Sequence, residues 1–276
     1  MNGRLGSLLG GDYHVHSTFS DDATSTIEDN LAAAAAIGLS EIRLIDHVRQ
    51  STMWVPEFVA AVAAARQHDG LRVLTGVEAK ILNARGELDI PADLVLGAGG
   101  VDAIVIADHQ FPGLDGPWSP EDTQARIASG LRVSDALDIL IGATVAAMES
   151  VESGQLAHCF SILPKIGLSE DDLTDEHLAA WASAAKNTGT LIEVNEKWNC
   201  PEPRALRSAV AAGATLVAST DSHVASEVGR YDRVVALLDA VFSPDAIFSP
   251  DAIFSPDAGS NPDAASSATS SREASS

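Results

Sequence analysis

The sequence predicts an α/β protein with a parallel sheet, closed into a βα barrel slightly smaller than the eight-fold kind. Short β-branched or apolar runs alternate with Ala-rich stretches of helical period. The alternation recurs about seven times in roughly 240 residues, enough for a ring of strand–helix units. Glycines follow the helical stretches, where a left-handed cap is wanted. An open doubly wound sheet is the alternative. The absence of GxGxxG after the first strand counts against a dinucleotide fold.

The elements follow in order. Tyr13–His16 reads as the first strand, and TIEDNLAAAAAI (Thr26–Ile37) as a helix, with Thr26 as its start signal ahead of Glu28 and Asp29 and Gly38 past its end. Ile42–Asp46 is the second strand, followed by a helix over Pro56–His68 and by Gly70. Val73–Val77 and Ala103–Ala107 are strands three and four, and Pro120 opens a helix to Leu131. Leu156–Phe160, Leu191–Asn195 and Leu216–Thr220 complete the strands, with helices over Asp175–Asn187 and Pro203–Ala212 that are followed by Gly189 and Gly213. From Phe242 the unit FSPDAI recurs every six residues and decays into Ser, Ala and Pro. Ser243–Ser276 is expected to be a disordered tail; a docking segment using Phe248 and Phe254 is the other reading. The barrel is thus assigned to residues 1–242.

Composition narrows the class. A chain of 276 residues, 46% apolar, suits one domain or two smaller ones. Two cysteines, Cys159 and Cys200, make no disulfide framework; MNGRLGSLLGG is too short for a signal core, and no apolar run is long enough to span a membrane. A soluble cytoplasmic protein is expected. The net charge of −22 repels phosphate backbones, so nucleic-acid polymers are disfavoured as partners, and a small metabolite is favoured. Most of that charge reads as general solubility and part as a metal site.

Chemistry collects at the strand ends, where barrels and open α/β sheets build their sites. Strand one ends in His14 and His16, two in Asp46 and His47, three in Glu78 and then Lys80, and four in Asp108 and His109; strand five carries His158. Six ends in Asn195, Glu196 and Lys197, and seven in Asp221 and His223. Residues i and i+2 share a face, so His14 converges with His16, and Asp221 with His223. Six of the eight histidines sort to strand ends, while His68 and His177 fall in helical stretches and read as surface residues. Convergent imidazoles with carboxylates suit a divalent Zn, Mn or Fe.

The runs HVHSTFSDD, LIDH, GVEAK, ADH, LAHCF and STDSH, in that order, resemble the PHP (polymerase and histidinol phosphatase) superfamily, from Asp12 to about Leu238. The resemblance implies a distorted (β/α)7 barrel holding two to three metal ions. It implies that His14, His16, Glu78 and Asp221 hold one ion. Glu78, His109 and His158 hold a second, with Glu78 bridging, and Asp21, His47 and His223 hold a third. Asp22, Asp46 and Asp108 lie beside ligands and would orient them. All of the implied ligand positions carry competent residues, so an active centre is expected.

Such a centre implies a water made nucleophilic between neighbouring cations, attacking phosphorus in line. The catalytic candidates are Glu78, Asp221 and Asp46, the last as an acid for the leaving oxygen; a metal-bound water is the alternative. Lys80, Lys197, Arg230, Arg49 and Lys165 are candidates for phosphate contacts, Lys80 and Lys197 foremost. Trp54, Trp118 and Trp198 lie in loops on the same side, placed to stack on a flat group or to pack the loops. The chain resembles the stand-alone histidinol-phosphatase-like branch, so small phosphate monoesters are the expected substrates: histidinol phosphate, a nucleotide or a sugar phosphate. The rivals are a phosphodiesterase, a C–N amidohydrolase, a non-catalytic module and a phosphate-binding protein. Amidohydrolases of related fold bridge their metals with a lysine after strand four, where this chain has His109.

Overall fold

A computed structural model describes residues 8–65 and 70–242. The strands β1 (Gly11–Val15), β2 (Glu41–His47), β3 (Arg72–Lys80), β4 (Ala103–Ala107), β7 (Gly154–Leu156), β8 (Leu191–Asn195) and β9 (Leu216–Ser219) pair in that order, all parallel. No strand reverses the order, so the doubly wound alternative is excluded. The ring is nearly closed. Just past β9, Ser222 bridges Val15, and the His16 amide donates to the Ser222 carbonyl at 2.9 Å. Asp12 clasps the same seam. Its carboxylate accepts from the Thr220 hydroxyl (2.6 Å), the Thr220 amide (3.0 Å) and the Gly229 amide (2.9 Å).

The helices follow from local signals. In α1 (Ile27–Ala36), Thr26 accepts from the Asp29 amide at 3.1 Å while the Asp29 carboxylate takes the Thr26 amide, a reciprocal cap. α2 (Val55–Ala65) packs against β3 and buries Phe58 and Val62. Ser119 caps α3 (Pro120–Ala128), and Pro120 occupies the first turn, where its missing N–H costs nothing. Thr174 caps α6 (Asp175–Thr188), which ends on left-handed Gly189 (φ 72°). α7 (Pro203–Ala212) ends likewise on Gly213. α8 (Arg233–Phe242) closes the described chain.

Five features depart from the sequence reading. β3 and β4 are joined by a loop with no helix. Between β4 and β7 stand a hairpin, β5 (Phe111–Gly113) with β6 (Gly116–Trp118), then α3, and then the longest helix, α4 (Val133–Glu149), which the sequence reading passes over. β7 stops at Leu156 rather than Phe160, because His158 and Phe160 turn to positive φ (26° and 71°), which a strand does not admit. Short α5 (Ile162–Lys165) follows. The predicted helix end at His68 and the tail Ser243–Ser276 lie outside the described residues.

Alternation places the core. Ile42 and Leu44 of β2, Ile104 and Ile106 of β4, and Ile192 and Val194 of β8 join the main apolar cluster beneath the helices. The opposite parity faces the barrel interior, where Ile45, Val105, Ala107 and Ala157 form a small separate cluster. Gly76 also faces inward; a Cβ there would lie 3.1 Å from Ile45 Cγ1 and 3.4 Å from Arg43 Cδ. The same parity also carries polar groups. Arg43, Glu78, Gln155, Glu193 and Asn195 are all buried.

Candidate metal centre

Glu78 ends up buried at the C-terminal mouth of the barrel with five histidine rings from four strand ends around it. Its Oε1 lies 3.1 Å from both His109 Nε2 and His158 Nε2. Its Oε2 lies 2.8 Å from His47 Nδ1 and 3.5 Å from the Nε2 atoms of His14 and His16. Yet Oε2 receives no hydrogen bond in proper geometry, a buried orphan oxygen surrounded by nitrogens. Asp221, at left-handed φ 53°, turns Oδ1 to 3.3 Å from His16 Nε2 and 3.8 Å from His14 Nε2. The Trp198 indole donates to its Oδ2 at 2.7 Å.

Among the described residues, three groups of donor atoms lie close enough to hold an ion: His14, His16 and Asp221; His47, Glu78 and His109; and His16, His47 and His223. His158 completes the set through Glu78 Oε1. The carboxylate that reaches His47 and His223 is Asp22, at 3.5 and 3.3 Å, and not the expected Asp21. Asp21 lines the same cavity one residue earlier on the loop. Both are loop acids after HxH, and spacing alone does not tell which one the turn carries inward.

The rings are oriented from behind. The His14 Nδ1–H donates to Glu193 at 2.8 Å, and His16 Nδ1 lies 3.2 Å from the Ser20 hydroxyl. His158 Nδ1 lies 3.3 Å from Asp108 and 3.0 Å from the Ser161 hydroxyl. Each arrangement leaves Nε2 turned toward Glu78 and Asp221. The His14 and His16 Nε2 atoms approach to 3.0 Å, a contact that two bare lone pairs would resist and that a shared proton or cation relieves.

The electrostatics agree. Burial works against ionised Glu78, but His109 and His14 hold it well below the usual carboxylate range. Asp221 is likewise lowered against burial, by His14 and His16. Burial would lower His14 and His158, yet Glu193 and Glu78 raise the first well above the usual value, and Asp108 and Glu78 bring the second to about 10. His16, where burial dominates, falls to about 3. The carboxylates therefore draw positive charge into the cluster. Protons answer that demand at some rings, and a divalent cation on neutral imidazoles and ionised carboxylates answers it better. The residues fit such ions.

The cavity above this cluster has a volume of about 460 Å³ and is lined by Arg49, Lys80, His109, Lys197, Trp198 and His223 among others. Lys197 Nζ lies 3.6 Å from Asp221 Oδ1 and 3.2 Å from His223 Nδ1; Lys80 pairs with Asp89 at 3.5 Å. Other expected contacts fall elsewhere. Arg230 sits exposed on the turn after Glu227. Lys165 lies 4.0 Å over the Trp198 ring, outside the metal cavity. Asp46 is fully buried behind His16, and its oxygens accept from the Ser17 amide (2.9 Å), the Ser17 hydroxyl (2.6 Å) and the Ser20 amide (3.0 Å). So placed, Asp46 fastens a loop and does not face a leaving group. Trp118 stacks on Phe111, Trp54 packs on Phe19 and Phe58, and Trp198 alone of the expected three flanks the metal cavity. His177 is spent on the surface, capping α6 and pairing with Asp138; His68 lies outside the described residues. Glu193 is the site residue that the sequence reading missed. Its signal was a charge inside the apolar run LIEVN, two residues before Asn195 and so on the inward face.

A family model described as PHP domain matches residues 12–197. The chain is 28% identical over 249 residues to a probable phosphatase of Shewanella sp. (strain MR-4), with 84% of each chain covered. It is 28% identical over 247 residues to a probable phosphatase of Shewanella oneidensis, again with 84% of each covered. Among solved structures, histidinol phosphate phosphatase from Lactococcus lactis, complexed with zinc, L-histidinol and phosphate, superposes with a TM-score of 0.56 at 17% identity, over 84% of this chain and 92% of that one. At that identity the likeness is one of fold. No helix among the described residues is long and apolar enough to cross a membrane.

Proposed function

The chain belongs to the PHP domain family, and on that premise we propose that it is a metal-dependent phosphatase of small phosphate monoesters, of the histidinol phosphate, nucleotide or sugar phosphate class. The observation that carries the reading is Glu78, a buried carboxylate with one orphan oxygen, ringed by imidazole nitrogens and open to a cavity that holds cationic side chains. The phosphatase names of the Shewanella relatives and the substrate of the Lactococcus enzyme support the choice of phosphoester.

His14, His16, Asp221 and Glu78 hold one ion in this reading. Glu78, His109 and His158 hold a second, and Asp22, His47 and His223 a third. Divalent cations bound there make a water nucleophilic and neutralise charge on phosphoryl oxygens. The chain's own residues do the rest. Lys197, held between Asp221 and His223, offers an ammonium to a phosphoryl oxygen, and Arg49 and Lys80 extend that cationic rim. The Trp198 indole, fixed by its hydrogen bond to Asp221, walls the side where the organic half of the ester lies. In this reading the proton for the leaving oxygen comes from a group lining the cavity, and Asp46 does not line it.

The test is phosphate release from a substrate panel by protein purified without chelators and assayed with Mn and Zn. The panel holds histidinol phosphate, nucleoside monophosphates, sugar phosphates, a phosphodiester and an amide. One monoester class should run far ahead of the rest. Turnover confined to the diester or the amide would overturn the reading.

A further inference from the structure

The strand β8 contributes a carboxylate that none of the ion positions uses. Glu193 is completely buried in the barrel interior beneath the cluster. Its Oε1 accepts from His14 Nδ1 (2.8 Å) and Gln155 Nε2 (2.6 Å). Its Oε2 accepts from Asn195 Nδ2 (3.0 Å), the Ser219 hydroxyl (2.9 Å) and the His158 amide (3.2 Å). One carboxylate thus grips His14 by its ring and His158 by its backbone. In the reading above, those two residues serve different ions.

Each contact has a consequence. A carboxylate only accepts, so the His14 proton is fixed on Nδ1 and Nε2 is presented to Glu78 and Asp221. His158 sits at φ 26°, off the regular strand, and its amide would be left unpaired there without Oε2. Gln155 ties the same carboxylate to the Tyr13 carbonyl at 2.8 Å and, through its oxygen, to the buried guanidinium of Arg43. Strands β1, β2, β7, β8 and β9 therefore meet at this one group.

We propose that Glu193 is a positioning residue that sets the tautomer of His14 and the backbone of His158, and so couples the first and second ion positions. The inference rests on the metal-centre reading. A glutamine at this position cannot substitute. Whichever way its amide is turned, an NH2 group faces either the two donors at Oε1 or the three at Oε2. An aspartate keeps the charge but is one methylene too short to span His14 and His158 together.

The test measures zinc binding, by competition with a chelating dye, on the full chain after metal stripping. Wild type is compared with Glu193→Gln and Glu193→Asp, and the metal-free melting temperature is recorded for each. The expected result is zinc affinity lowered about 10–100-fold in both variants, with metal lost from more than one position. A purely structural role would lower the metal-free melting temperature and leave zinc affinity as in wild type, and that result overturns the inference. Should neither variant fold, Ser219→Ala removes a single donor from Oε2. It is expected to weaken zinc binding in the same direction, and wild-type affinity there would count against the inference equally. A wild-type protein that binds no zinc, manganese or iron would instead sink the metal-centre reading itself.

Discussion

Two buried glutamates show how a withdrawn carboxylate can be accommodated. Glu78 keeps its charge because imidazoles surround it, and its orphan oxygen marks where a cation belongs. Glu78→Gln removes that charge at nearly constant volume. It is expected to lower bound metal by at least one equivalent and phosphate release by about 100-fold or more, as checked by elemental analysis and a phosphate assay. Glu170 has no such neighbours. Burial raises it from 4.5 to about 8, although both of its oxygens face the Glu202 amide. Below pH 4.5 it is neutral folded or unfolded. Between pH 4.5 and 8 only the unfolded chain ionises, so wild type loses stability across that window. Glu170→Gln should therefore be more stable than wild type at pH 9, by roughly 1–3 kcal/mol in denaturant unfolding, and no more stable at pH 4; an equal difference at both values would refute this cause. At this scale much of the site was legible. His14, His16, Glu78, His109, His158, Asp221 and His223 announce themselves by residue type at strand ends. Asp22 did not stand out from Asp21, since the turn that selects it depends on contacts with His47 and His223. Glu193 stayed hidden because all of its partners but Asn195 lie on other segments.

Elements carry the site through their junctions. The turn after β1 is held by Asp46 of β2, whose three hydrogen bonds from Ser17 and Ser20 place the loop that bears Asp22. Asp46→Ala leaves the buried Ser17 amide without an acceptor and the Ser20 amide with the Ser17 carbonyl alone, and should lower stability by about 1–3 kcal/mol, read by denaturant unfolding of the metal-free protein. Loss of activity without loss of stability would restore Asp46 as an acid. The loop after β8 brings Lys197 to the cavity rim. Lys197→Ala is expected to raise KM about 10-fold or more with a smaller change in kcat, and unchanged kinetics would remove it from substrate binding. Helices with caps, such as α1 from Thr26 and α6 from Thr174, could be read from local chemistry. The hairpin β5–β6 and the short β7 could not. The hairpin is only two three-residue strands, and β7 is cut by backbone turns at His158 and Phe160 that no periodicity encodes.

The whole molecule is a ring in which a ladder of seven parallel strands is closed by contacts beyond its ends. Asp12 at that seam is one of them, and it joins the segment of His14 and His16 to that of Asp221 and His223. Every candidate ligand lies between His14 and His223, so we propose that residues 1–242 form the working unit. Removing residues 243–276 should then leave melting temperature and turnover as they were; a substantial loss of either would give that segment a role. The closed barrel was foreseeable from alternation and strand count, whereas the contacts that seal its seam, which bring partners from opposite ends of the chain, were not. The most direct test of the central claim is metal-dependent phosphate release by wild type and Glu78→Gln side by side, each stripped and then reloaded with manganese or zinc. The expected result is hydrolysis of a small monoester that vanishes on stripping, returns on reloading in wild type, and does not return in the variant. Hydrolysis that survives stripping, or that the variant matches after reloading, would contradict it.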